Sequence, residues 1–115
     1  MAIPVKHKGA VSELLATAWL LDRGYEVFRN VSQHGPADLV GWRPGEPPEL
    51  FDVKTVTMVR SPTGRIYANV SAPAVARATA LGIHLLYADP GTGSVSTDPA
   101  DLAEQVAAIW ERKGI

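Results

Sequence analysis

The stretch ADLVGWRPGEPPELFDVKT, residues 37–55, decides the fold. Two runs rich in aliphatic and aromatic residues flank Arg43-Pro44-Gly45-Glu46-Pro47-Pro48, a segment of chain breakers. The pattern predicts a strand over 37–42, a turn, and a further strand from Glu49 hairpin-paired to the first. Side chains at i and i+2 of a strand share a face and stand roughly 7 Å apart. Asp52 and Lys54 therefore project together, while Val53 turns to the other side. Asp38 lies at the start of the neighbouring strand.

Upstream, residues 8–23 read as a helix ended by Gly24, a good left-handed cap. Val11, Leu14, Leu15, Ala18 and Leu21 make one apolar stripe at helical spacing. The opposite side carries Lys6, Gly9, Glu13, Ala16, Thr17 and Leu20, so Glu13 lies among small or apolar residues and the helix is expected to be covered on both sides. Residues 25–31 read as a strand and residues 32–36 as a loop. Downstream, the strand that begins at Glu49 is expected to run to Val59, with residues 66–70 as a further hairpin partner. Residues 73–81 form a short helix with Ser71 as cap and Gly82 as stop. Residues 83–88 have the character of a buried strand, and a short strand follows around Val95. Asp98 with Pro99 behind it starts a last helix running to about Arg112. The order α-β-β-β-β-α-β-β-α predicts an α/β (α+β) domain spanning residues 1–115, with a mixed central sheet flanked by helices.

At 115 residues and 12.3 kDa, with 46% hydrophobic and 20% charged residues, the composition is that of a folded domain rather than a disordered chain. The absence of cysteine excludes a disulfide framework and a thiolate metal site. The chain has no apolar run of membrane-spanning length, and residues 1–6 lack the apolar core of a signal peptide, so the default expectation is a cytoplasmic protein with no membrane role. The two N-x-S sequons, at Asn30 and Asn69, are then chance matches. Net charge is −1, which is low for a nucleic-acid binder, but the charges are segregated. Residues 53–88 contain Lys54, Arg60, Arg65 and Arg77 and no Asp or Glu. A solvated surface would produce the same excess.

Glu13, Asp38 and Asp52 brought together would repel, and at least one would hold its proton unless a cation intervened. Mg²⁺ takes oxygen ligands and needs only one or two protein carboxylates, so Asp38 and Asp52 with the backbone carbonyl of Val53 would suffice. Lys54 would orient an attacking water or stabilise charge developing on a phosphate. That combination points to hydrolysis of a phosphodiester.

The succession Lys8-Gly9-x-x-x-Glu13, Pro36-x-Asp38 and Asp52-Val53-Lys54 resembles the PD-(D/E)XK nuclease superfamily, and within it small Holliday junction resolvase-like endonucleases. The resemblance covers roughly residues 6–88 and implies a restriction-endonuclease-like core. It implies that Glu13, Asp38 and Asp52 are metal-site carboxylates, that Lys54 is the catalytic lysine, and that Mg²⁺, with Mn²⁺ as substitute, is the cofactor. The proline stands two residues before Asp38 rather than one, and the Arg that follows the helical Glu in many such resolvases is Leu14 here. A chain this short offers little surface for a duplex, so a two-fold homodimer is expected, acting on duplex or branched DNA without an organic cofactor.

Other residues carry weaker expectations. Lys6, Lys8, Arg60 and Arg65 are candidate contacts to the DNA backbone, and His34, in the loop before Asp38, is a candidate for metal, water or phosphate. His84 is expected to be a hydrogen-bonded core residue. A D-x-K tripeptide alone arises on any exposed strand. The alternative arrangement is a cross-strand Asp38–Lys54 ion pair with Glu13 paired to Lys6 or Lys8. The alternative function is a non-catalytic nuclease-like module that binds nucleic acid or a protein partner.

Overall fold

The strand carrying Asp52 and Lys54 lies at the centre of the molecule, and its alternation divides the fold into two layers. The structure, a computed structural model, describes residues 2–32 and 35–115. A short 3₁₀ turn (Val5–His7) leads into α1 (Lys8–Asp22), followed by β1 (Glu26–Arg29), β2 (Leu39–Trp42), β3 (Glu49–Thr55), β4 (Thr57–Arg60), β5 (Ile66–Asn69), α2 (Ala72–Leu81), β6 (His84–Asp89), β7 (Ser94–Ser96) and α3 (Pro99–Lys113). One five-stranded mixed sheet has the order β1-β2-β3-β6-β7, and β4-β5 form a separate ribbon. The expected mixed sheet flanked by helices is the architecture observed.

β3 pairs antiparallel with β2, Leu39 opposite Phe51, and parallel with β6, Asp52 opposite Leu85. Phe51 and Val53 turn toward α1, where Ala16, Leu20, Leu39, Leu86, Ala88 and Val95 complete a core cluster. Gly41 keeps that layer tight: a Cβ there would lie 2.8 Å from the rings of both Phe51 and Tyr25. On the second face α3 packs Leu102 and Val106 against Val56 and Tyr87, and α2 packs Ala78 against Ala37 and Ile83. The caps follow the chain chemistry: Ser71 Oγ accepts from the Ala74 amide, Asp98 from the Ala100 amide, and Gly82 closes α2 at φ 69°. None of the described helices is long and apolar enough to cross a membrane.

Three expectations are corrected. The stretch 49–59 is two strands, not one. Val56 buries its side chain under α3 and still donates its amide to Ala88 O of β6 at 3.0 Å; past it the chain leaves the sheet for the ribbon. Helix α1 is not covered on both sides: Leu14 is 62% and Leu21 55% exposed, although Leu15 packs against the core, while Ser12, Ala16 and Leu20 are buried. Small residues let the helix lie close on the sheet, close enough for Ser12 Oγ to meet Thr55 Oγ1 at 2.6 Å. His84 is exposed at the start of β6, its ring 5.6 Å from that of Phe51.

The facing of α1 is measurable by denaturant unfolding. Leu20→Ala is expected to cost about 2–5 kcal/mol, as deletion in a packed core does, and Leu14→Ala to stay within about 0.5 kcal/mol. The reverse ranking would put the outer stripe in the core.

Candidate active site

The hairpin register and a single backbone hydrogen bond assemble the acidic centre. Asp38 precedes β2; its amide donates to Phe51 O at 2.8 Å and its carbonyl accepts from the Asn30 amide at 2.9 Å. So fixed, its side chain reaches across to β3, where Oδ2 accepts from the Val53 amide at 2.7 Å. That bond brings the Asp38 carboxyl within hydrogen-bonding reach of Asp52. Lys54 Nζ, two residues along the same face, lies 3.1 Å from Asp52 Oδ2. Asn30 braces the approach: its Nδ2 donates to Ala37 O at 2.7 Å, and a Cβ on Gly35 would collide with that amide.

Two clefts meet at the Asp38–Asp52 pair. One, of about 520 Å³, is lined by Glu13, Arg29, Asn30, Val31, Ser32 and Asp38. The other, of about 290 Å³, holds Asp52 and Lys54 between Gly35-Pro36 and α2. Glu13 shares the first cleft with Asp38 and is near enough for its charge to act on it. It does not close with the two aspartates into a compact set: among the described residues no three of His, Cys, Asp and Glu group tightly enough to hold an ion. The donors that do fit a hard divalent cation are the Asp38 and Asp52 carboxylates, with the Val53 carbonyl on the strand between Asp52 and Lys54.

The alternative pairing read from sequence is not what forms among the described residues. Lys54 pairs with Asp52, on its own strand, and Glu13 pairs with neither Lys6 nor Lys8.

The remaining candidates lie away from the centre. Lys6 is exposed in the 3₁₀ turn, and Lys8 lines a separate cavity with Thr55, Met58 and Trp110. Arg60 donates to Ile115 O at 3.1 Å and sits over the Trp110 ring, so it is tied to the carboxyl-terminal end of the chain. Arg65 lines a groove between β5 and α3. His34 lies outside the described residues. Arg29 was not singled out in the sequence, although it lies opposite Leu39 and hence beside Asp38. Pairing residues 25–31 against 37–42 would have found it.

No protein-family model matches the chain, and no curated protein matches it in sequence. Among solved structures, a bacterial homing endonuclease, I-Ssp6803I, is similar, with a TM-score of 0.60 over 89% of this chain and 70% of that one, at 16% sequence identity. The fold is similar to that of this endonuclease. What the likeness carries at this identity is the architecture; the chemistry must be argued from the residues.

The electrostatics of the Asp38–Asp52 site are strained. The Asp38 carboxyl is pushed up to about 6 from the ordinary 3.8. Burial is the largest cause, followed by the hydrogen bond with Asp52, which requires a shared proton; the charges of Asp52 and Glu13 add to it, and the Val53 amide opposes them. The folded pKa is above the unfolded one, so the native state binds more protons between about pH 4 and 6. Stability from this group therefore falls as pH rises through that window, and the penalty is complete above about 6.

Asp38→Asn removes the buried charge while its amide oxygen can still accept from Val53. In metal-free buffer the variant is expected to melt above the wild type at about pH 8, with the gap closing toward pH 4. A variant that melts lower than wild type at pH 8 would show that the carboxylate is not under strain.

Proposed function

We propose that the protein is a metal-dependent endonuclease that hydrolyses DNA phosphodiester bonds, with Mg²⁺ as working ion and Mn²⁺ as substitute. The observation that carries this reading is the contact of two carboxylates, Asp38 and Asp52, on adjoining strands with the Lys54 ammonium at their side. Two acids pressed together against their charge are a poor structural device and a good cation site. In this reading Asp38, Asp52 and the Val53 carbonyl hold the ion. When bound, it supplies a Lewis acid for a phosphoryl oxygen and for the attacking water.

The chain's own residues do the rest. Lys54 holds positive charge where negative charge gathers on the oxygens of the phosphate under attack. Glu13, across the larger cleft, accepts a hydrogen bond from the attacking water and orients it. Arg29 balances the acids of that cleft. Lys6, Lys8, His34 and Arg65 extend the contact along the DNA backbone, and Arg60 joins them only by releasing Ile115.

The resemblance to the PD-(D/E)XK superfamily and its resolvase-like members extends the reading to branched DNA cut by a homodimer. Uncovered apolar surface supports self-association: Leu14 and Leu21 on α1, and Phe28, Trp42 and Leu50 on the open part of the sheet, are exposed.

One panel tests this. Supercoiled plasmid, linear duplex, flap, four-way junction, single strand and RNA are each incubated with Mg²⁺, Mn²⁺ or EDTA, with wild type and Asp52→Ala side by side. Cleavage of at least one DNA is expected with either metal, with none in EDTA and a loss of at least about 10³-fold in Asp52→Ala. Full metal-dependent cleavage by Asp52→Ala would contradict the assignment. Binding that ignores EDTA, with no cleavage anywhere, would leave a non-catalytic binding module.

A further inference from the structure

The cleft on the α2 side of the carboxylates contains a cation that no step above uses. Arg77 is the one charged residue of α2, whose sequence is otherwise APAVA and ATAL. It lines the same 290 Å³ cleft as Asp52 and Lys54. Its neighbour Ala78 is buried against Ala37 and Ile83, which pins this turn of the helix to the sheet beside the acidic centre. Residues 53–88 contain no Asp or Glu, and Arg77 forms no ion pair among the described residues. The opposite wall, Gly35-Pro36, is uncharged. Lys54 is balanced by Asp52 at 3.1 Å, so the Arg77 guanidinium is the uncompensated charge of the cleft lining, and it favours an anion there. Its planar fork matches two oxygens of one phosphate.

We propose that this cleft is a phosphate subsite, in which Arg77 grips the backbone phosphate next to the one that is cut. The inference rests on the nuclease reading and deepens it. The substrate strand crosses the Asp38–Asp52 pair and leaves along α2, held there by Arg77 while Lys54 attends the scissile group. Arg77 then contributes to holding the strand rather than to the chemical step. Charge alone supplies the salt dependence of such a contact, and the fork supplies part of its strength.

Fluorescence anisotropy with labelled linear duplex and four-way junction in EDTA, which keeps the DNA uncut, reads binding across a salt series. Wild type, Arg77→Ala, Arg77→Lys and, as a control at the far end of α3, Arg112→Ala are compared, with circular dichroism to verify folding. Arg77→Ala is expected to weaken binding by about tenfold or more and to reduce the slope of log Kd against log salt by about one. Arg77→Lys keeps the slope and loses only part of the affinity, and Arg112→Ala matches wild type. In cleavage assays with Mg²⁺ the Arg77→Ala defect falls on KM, with kcat little changed. A folded Arg77→Ala with wild-type slope and KM overturns the subsite; if that protein still cuts DNA and Asp52→Ala does not, the nuclease reading stands without it. Wild type that neither binds nor cuts either DNA overturns both.

Discussion

The hydrogen bond from the Val53 amide to Asp38 is the contact on which the site depends. It spends a backbone donor of the central strand on a side chain from the neighbouring one, and so draws one carboxylate against another. Nothing in the packing of the sheet requires this. The core on the α1 side is complete with Leu39, Phe51, Leu86 and Ala88, and an apolar residue at 38 or 52 would remove the repulsion. Groups held against their own electrostatics are characteristic of function, because selection for stability alone would have discarded them. The raised pKa of Asp38 is the visible form of that strain.

The rest of the fold keeps this contact in place while leaving it open. α1 lies close on one face through Ser12, Ala16 and Leu20, and delivers Glu13 to the larger cleft. α2 and α3 leave part of the other face uncovered, so Asp52 and Lys54 look into a cleft rather than into a core. A likeness to a homing endonuclease at 16% identity fits this division. What is shared is the scaffold of strands and helices.

Much of this was legible in the chain. The two-residue period places Asp52 with Lys54, and a proline-rich turn of known length brings Asp38 alongside; both are local rules of strand geometry. Ser71, Gly82 and Asp98 act at helix ends as their side chains dictate. The facing of α1 was not legible, because both its sides are apolar and the deciding factor is how closely small residues let it approach the sheet. The break comes at Val56, whose side chain packs against Leu102 and Val106 far along the chain, a contact that no local pattern encodes. Arg60 looked free on a hairpin and is instead tied to Ile115 at the other end of the chain. Arg29 and Arg77 gain their meaning only from the clefts that tertiary structure creates around them.

The central claim is that Asp38 and Asp52 together form a cation site, and Mn²⁺ binding measures it without reference to any substrate. Titration of the DNA-free protein, by calorimetry or by the loss of the free-ion electron paramagnetic signal, is predicted to show saturable binding. Its affinity should rise with pH through about 6 as Asp38 gives up its proton. Asp38→Asn and Asp52→Asn should each weaken it by about tenfold or more. Binding of equal strength in wild type and both variants, or no binding at any pH, would contradict the account.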